Sequence, residues 1–152
     1  MKRLILPLIT IVMLCSIAAM GYTQEDDQVT KRLMEQPRTV LKEARQALED
    51  ARSTGRSPQF VEALMQLSAA QLLIDSDSIT TVVREIKEAM DNCASPVERS
   101  VIAIYLCDLY RYAQDINAGA YRNSYIPGNH NMATWSIRNY SDAIDSLRIV
   151  AV

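Results

Sequence analysis

Glycine and proline are scarce, at 4 and 5 of 152 residues. Together they make up about half the share an average chain carries. A β-sandwich or a loop-rich scaffold depends on such turn residues, so neither suits this chain. A single histidine removes most histidine-based catalysis and most metal sites. Three cysteines are too few for a disulfide-framed mini-protein. Basic residues are not in excess either: 16 Lys and Arg stand against 18 Asp and Glu, with no basic stripe anywhere. Phosphate contacts need clustered Lys and Arg, so nucleic acid is excluded as a partner. What is present is 49% apolar and 22% charged residues, a composition that folds. The length suits one domain at the usual ~100–200 residues.

The first 23 residues read as a targeting segment. Lys2 and Arg3 form a positive start, Leu4 to Cys15 an apolar core, and Ala18-Ala19-Met20-Gly21 a run of small residues before the polar Gln24-Glu25-Asp26-Asp27-Gln28. That order is the order of a secretory signal peptide. The alternative is a membrane anchor, but Leu4–Gly21 is only 18 residues long and lacks a basic flank on its far side, which places it at the short edge of a spanning helix. Lipidation of Cys15 is disfavoured by Leu14 before it, where a small residue is wanted. Cleavage is expected between Gly21 and Gln24, giving a signal peptide over 1–23 and a helical domain over 24–152. Removing Lys2 and Arg3 leaves 14 basic against 18 acidic residues, a formal −4. The expected destination is the periplasm, the outer envelope or the medium, with no membrane span after cleavage.

Behind the leader the pattern is helical throughout, predicting an all-α fold of antiparallel helical hairpins, either tetratricopeptide-like or an ordinary bundle. Leu33 and Met34 suggest a short first helix. From Pro37, the positions Val40, Leu41, Ala44, Ala47, Leu48 and Ala51 form one apolar face before Gly55, with proline at the start and glycine at the stop. Ser57-Pro58 opens the next helix, with Phe60, Val61, Leu64, Leu67, Ala70, Leu73 and Ile74 inside. Asp75–Ser78 interrupts, and Ile79, Val82, Val83, Ile86, Ala89, Met90 and Cys93 line a further stripe. Ser95-Pro96 repeats the cap-plus-proline opening, 38 residues after the first, a spacing between the tetratricopeptide and HEAT periods. The helix it opens runs to about Ile116 and is apolar nearly all round, which predicts a central position. Residues 119–133 form an irregular polar connection. A last helix is expected over about 134–148, with Thr134 as its cap and Trp135, the sole Trp, at its start. The residues expected to hold the structure together are Leu106, Leu109, Tyr110 and Trp135.

The same pass finds no catalytic constellation, no cofactor motif and no metal set. Asp75-x-Asp77 begins like a calcium loop, but the positions that should be a ligand, a glycine and a glutamate are Ile79, Thr80 and Ile86, so a turn and helix cap is the better reading. His130 has no second histidine and no nearby cysteine. Glu25-Asp26-Asp27 and Glu49-Asp50 fall on polar faces, where carboxylates are solvated. Cys93 lies at a hairpin turn and Cys107 about 11 residues into the next helix, roughly 16 Å away at the helical rise. A disulfide needs Cα atoms within about 7 Å, so both are expected to be small buried residues.

The segment Leu109-Tyr110, Asn117, Asn123, Thr134-Trp135 and Asp142-Ala143-Ile144 resembles the N-terminal helical region of large bacterial alpha-2-macroglobulin-family proteins. The resemblance covers Pro37 to the end and is most specific between Tyr105 and Leu147. It implies an exported envelope protein of the protease-trapping type, in which a helical region follows the signal peptide. It also implies a chain that runs on for many hundreds of residues, so that this one is expected to be a truncated or split copy. The family's thioester motif is not here: Cys93 is followed by Ala-Ser and Cys107 by Asp-Leu. No inhibitory residue can be carried over.

The expected function is therefore a non-catalytic helical scaffold or docking module of such an envelope protein, its partner being another protein or downstream domains of the same polypeptide. The alternative is an independent exported helical-repeat adaptor.

Overall fold

The computed structural model describes residues 24–55, 57–117 and 125–151. The expected leader, and Gly119, Arg122 and Asn123 of the irregular connection, lie outside them. The described residues are all-α. They form six α-helices: α1 (Gln24–Glu35), α2 (Pro37–Thr54), α3 (Ser57–Ile74), α4 (Ile79–Asp91), α5 (Pro96–Asn117) and α6 (Ile137–Val150). Short 3₁₀ turns cover Ser76–Ser78 and Met132–Thr134. The contacts divide the chain into two compact units, one ending at Ser78 and the other starting at Ile79.

In the first unit α2 and α3 make a hairpin, and α1 packs against both. Pro37 occupies the first turn of α2, where its missing N–H costs nothing. The helix stops at Gly55, whose left-handed backbone (φ 65°, ψ 25°) sends its N–H back to the Ala51 carbonyl. Across the turn the Arg52 guanidinium lies 5.6 Å from the Phe60 ring centre, tying the two helix ends together. The buried stripe of α2 is Val40, Ala44, Leu48 and Ala51, narrower than expected, since Ala47 is exposed. Its small residues permit close helix approach. Leu33 is buried from α1, a contribution of about 1.5–3 kcal/mol by its apolar area, whereas Met34 is half-exposed. Ile74, expected inside, is exposed. It is the last residue of α3. The cap assigned to Ser57 falls outside the described side chains.

Asp75–Ser78 is a turn. Asp75 Oδ1 accepts the Asp77 N–H at 3.1 Å, and Ser78 Oγ donates to the Asp75 carbonyl at 2.6 Å.

In the second unit α5 lies between α4 and α6. Ser95 caps α5 through its side-chain oxygen, which accepts the Glu98 N–H, with Pro96 at the first position. The α4 stripe is buried as read from its spacing, Ile79, Val82, Val83, Ile86, Ala89 and Met90, and so is Cys93 just past the helix end. Two contacts fix the register of α5 on α6: Ser100 Oγ reaches the Val150 carbonyl at 3.3 Å, and Cys107 Sγ the Ile144 carbonyl at 3.8 Å. Seven residues forward on α5 match six backward on α6, so the pair is antiparallel.

Two expectations about this unit need correction. First, α5 is not buried all round. Val97 and Ile104 are exposed on one stripe, because two flanking helices leave that edge uncovered within the unit. Second, the last helix begins at Ile137, not 134, and continues to Val150. Thr134 ends a 3₁₀ turn, and Trp135 is extended (φ −70°, ψ 136°). The cap is Ser136, whose Oγ accepts the Asn139 N–H while Asn139 Oδ1 accepts the Ser136 N–H. That reciprocal capping box satisfies two otherwise orphaned donors, and it decides where the helix starts.

Candidate functional site

Of the four residues singled out from the sequence, Leu106 and Leu109 are fully buried in α5 and have no access to any ligand. Tyr110 and Trp135 come together with Tyr140 in an aromatic cluster. Ring centres are 5.5 Å apart for Tyr110 and Trp135, 5.2 Å for Trp135 and Tyr140, and 6.5 Å for Tyr110 and Tyr140. The last two pairs are edge-to-face, an arrangement worth about 0.5–1.5 kcal/mol beyond burial.

Around this cluster the polar loop is pinned by side chains. The Trp135 indole N–H donates to the Asn129 carbonyl at 2.8 Å. The Tyr140 hydroxyl donates to the Met132 carbonyl at 3.3 Å and accepts from Asn117 Nδ2 at 3.1 Å. Asn129 Nδ2 donates to Thr134 Oγ1 at 3.1 Å, and Asn139 Nδ2 to the Ile126 carbonyl at 2.9 Å. At the edge, the Tyr125 hydroxyl donates to Asp142 at 2.8 Å, and the Arg138 guanidinium lies 4.3 Å from the Tyr125 ring centre. Burial pushes the Tyr110 and Tyr140 hydroxyls above their ordinary value, while the bond to Asp142 does so for Tyr125. The polar ends of Trp135 and Tyr140 are both occupied in holding the loop. The holding roles of Asn117, Asn129, Ser136 and Asn139 were not read from the sequence. Only Ser136-x-x-Asn139 carried a signal, as an amide variant of the capping box.

The remaining chemistry is scattered. Cys93 and Cys107 are free and buried. The Cys93 thiol donates to Glu98 Oε2 at 2.7 Å, and its carbonyl accepts from Arg99 at 2.8 Å. Burial above all, with the Glu98 bond second, raises the Cys93 thiol, and burial raises Cys107. A raised thiol is a poor nucleophile. His130 is exposed on the loop. Among the described residues no group of three His, Cys, Asp or Glu could hold a metal ion, and no buried side-chain nitrogen or oxygen lacks a partner. A shallow open depression of about 480 Å³ in the first unit is lined by Glu35, Gln36, Pro37, Arg38, Thr39 and Ile74.

The surface feature that stands apart is apolar. Val97 is 73% exposed and shares one face of α5 with Ile104, and on the last turn of α6 Ile149 is 81% exposed, with Val150 exposed after it. Ser100, between Val97 and Ile104 on α5, is the residue bonded to the Val150 carbonyl. Of the nearby charges, Asp108 pairs with Arg111 at 2.7 Å and Asp145 with Arg148 at 3.1 Å.

No protein-family model, curated protein or solved structure matches the chain. Among the described residues, no helix is long and apolar enough to cross a membrane.

Proposed function

We propose that the chain is a non-catalytic, exported helical docking module whose second unit engages another protein surface through Val97 and Ile104 of α5 with Ile149 and Val150 of α6, together the α5–α6 strip. One observation carries this reading. The most exposed large apolar side chains among the described residues, Val97 and Ile149, lie on the first turn of α5 and the last turn of α6, Ile104 continues the α5 face, and Ser100 between Val97 and Ile104 bonds the Val150 carbonyl. Grouped apolar exposure of this kind marks contact surfaces, whereas isolated exposed residues are ordinary. The thiols, the histidine and the carboxylates do not converge, which favours a binding role over chemistry.

The narrower form of the reading, a scaffold module of an alpha-2-macroglobulin-like envelope protein, rests on the Leu109-Tyr110 to Ile144 pattern alone. The alternative is a free-standing exported adaptor. A reading frame continuing past Val152 into β-rich macroglobulin repeats would favour the first.

The test is site-specific photo-crosslinking in the envelope of the producing cell. A photoreactive residue at position 104 or 149 should give one dominant protein adduct, and the same group at Arg45, on the polar face of α2, none. Equal or absent labelling at all three positions overturns the docking reading.

A further inference from the structure

The chain contains one Asn-x-Ser/Thr triplet, Asn139-Tyr140-Ser141. In an exported protein this is the acceptor pattern for N-glycosylation, and it ordinarily belongs to a surface loop. Here it sits at the start of α6 with its asparagine buried. Three hydrogen bonds hold the side chain of Asn139. Nδ2 donates to the Ile126 carbonyl at 2.9 Å, and Oδ1 accepts from the Ser136 backbone N–H at 3.1 Å and from Ser136 Oγ at 2.8 Å. Ser136 is itself buried.

Glycosylation bonds Nδ2 to the anomeric carbon of a sugar as that carbon's bond to a lipid-linked diphosphate breaks, the diphosphate leaving and one Nδ2 proton passing to solvent. The new carbon must lie about 1.5 Å from Nδ2, the length of a carbon–nitrogen single bond. If it takes the position of the hydrogen facing Ile126, it expels that carbonyl. If it takes the other, the ring must still find room at a residue only 7% exposed, whose Oδ1 is held by the Ser136 N–H and hydroxyl. A sugar ring fits neither place without breaking the capping box or releasing the loop.

We infer that the native second unit and a glycan on Asn139 are mutually exclusive, so that the acceptor pattern is closed by the fold itself. Resting on the exported reading, this has a consequence for maturation. A glycan added to Asn139 of the unfolded polypeptide would block the folding of the second unit.

The experiment sends the full chain through the endoplasmic reticulum of cultured cells, so its outcome does not depend on the natural route. Ser141→Ala is the control: it removes the acceptor pattern but leaves Asn139 in place, and Ser141 is exposed with one local bond, to the Ile137 carbonyl. Secreted wild-type protein should separate into two fractions. The fraction with a glycan at Asn139 should show red-shifted Trp135 emission and no cooperative unfolding, and the glycan-free fraction should match Ser141→Ala in both. A glycan-bearing fraction with the emission and unfolding midpoint of Ser141→Ala overturns the inference. Should the wild type emerge wholly unmodified, Tyr140→Ala, which loosens the same loop and keeps the pattern, should gain the glycan. Its failure to do so would equally overturn the claim that the fold is what closes the site.

Discussion

The indole N–H of Trp135 donates to the Asn129 carbonyl, six residues back, at 2.8 Å. Through this bond the residue before the α6 cap holds the loop that precedes it against Tyr110 and Tyr140. Replacing Trp135 with Phe keeps a ring in the cluster and removes the donor. The Asn129 carbonyl then loses its partner, at a cost of about 1–2 kcal/mol. Chemical denaturation followed by helical circular dichroism checks this. In the native protein, Trp135 emission should lie to the blue of the free amino acid and move red in the same transition that loses helix. Two separate transitions would contradict the clamp.

How much of this could be read in advance depended on how local the deciding interactions are. Gly55 and Ser95-Pro96 are local signals, since a left-handed stop and a capped proline start need only their own neighbours, and both formed where the spacing placed them. The stripe of α4 was legible for the same reason. The start of α6 was not, because Thr134 is also an acceptable cap by type. Ser136 prevails because Asn139 lies three residues on, and because Tyr140 can then reach the Met132 carbonyl, a contact no periodicity reveals. The exposed stripe of α5 was hidden for a related reason: an apolar sequence states what could be buried, but the number of neighbouring helices determines what is.

The core prediction follows from α5. Leu106 and Leu109 are fully buried, so alanine at either should cost about 2–5 kcal/mol, through lost transfer energy and the cavity left behind. Arg45, exposed on α2, should tolerate alanine within about 0.5 kcal/mol. Denaturant midpoints for the three variants provide the comparison, and similar small losses would mean that the buried face is misassigned.

Alkaline pH should weaken the second unit. The folded Tyr110, Tyr140 and Cys107 groups all titrate above their ordinary values, chiefly through burial. The unfolded chain therefore releases these protons first. Their contribution is complete below the ordinary thiol value of 9.0 and tyrosine value of 10.0, and declines as pH rises from there through the folded values. Thermal midpoints should be flat with respect to these groups at neutral pH and fall above about pH 9. For the same reason Cys93 and Cys107 should react slowly with a disulfide reagent in the native protein and rapidly in denaturant. Fast native reaction at neutral pH would contradict the burial.

Export is checked by the mature N-terminus. A cleaved leader over 1–23 predicts protein outside the cytoplasm beginning between Tyr22 and Glu25, read by mass spectrometry of the intact chain. An N-terminus at Met1 on membrane-extracted protein would establish an anchor instead, and a lipid on Cys15 a lipoprotein.

The last prediction separates docking from folding. Val97 and Ile104 are exposed on α5, so Glu at either position buries no charge and should change stability by no more than about 0.5 kcal/mol. If the strip is a contact surface, the same substitutions place a solvated charge where a partner needs an apolar face, and bringing that charge into the contact unpaired is costly. The double variant Val97→Glu, Ile104→Glu should therefore keep its helical signal and unfolding midpoint and lose the adduct formed from a photoreactive residue at position 149. Ile126→Glu, a similarly exposed apolar change on the loop, should leave that adduct intact. Loss of the adduct with Ile126→Glu but not with the double variant would move the contact surface from the α5–α6 strip to the loop held by Trp135.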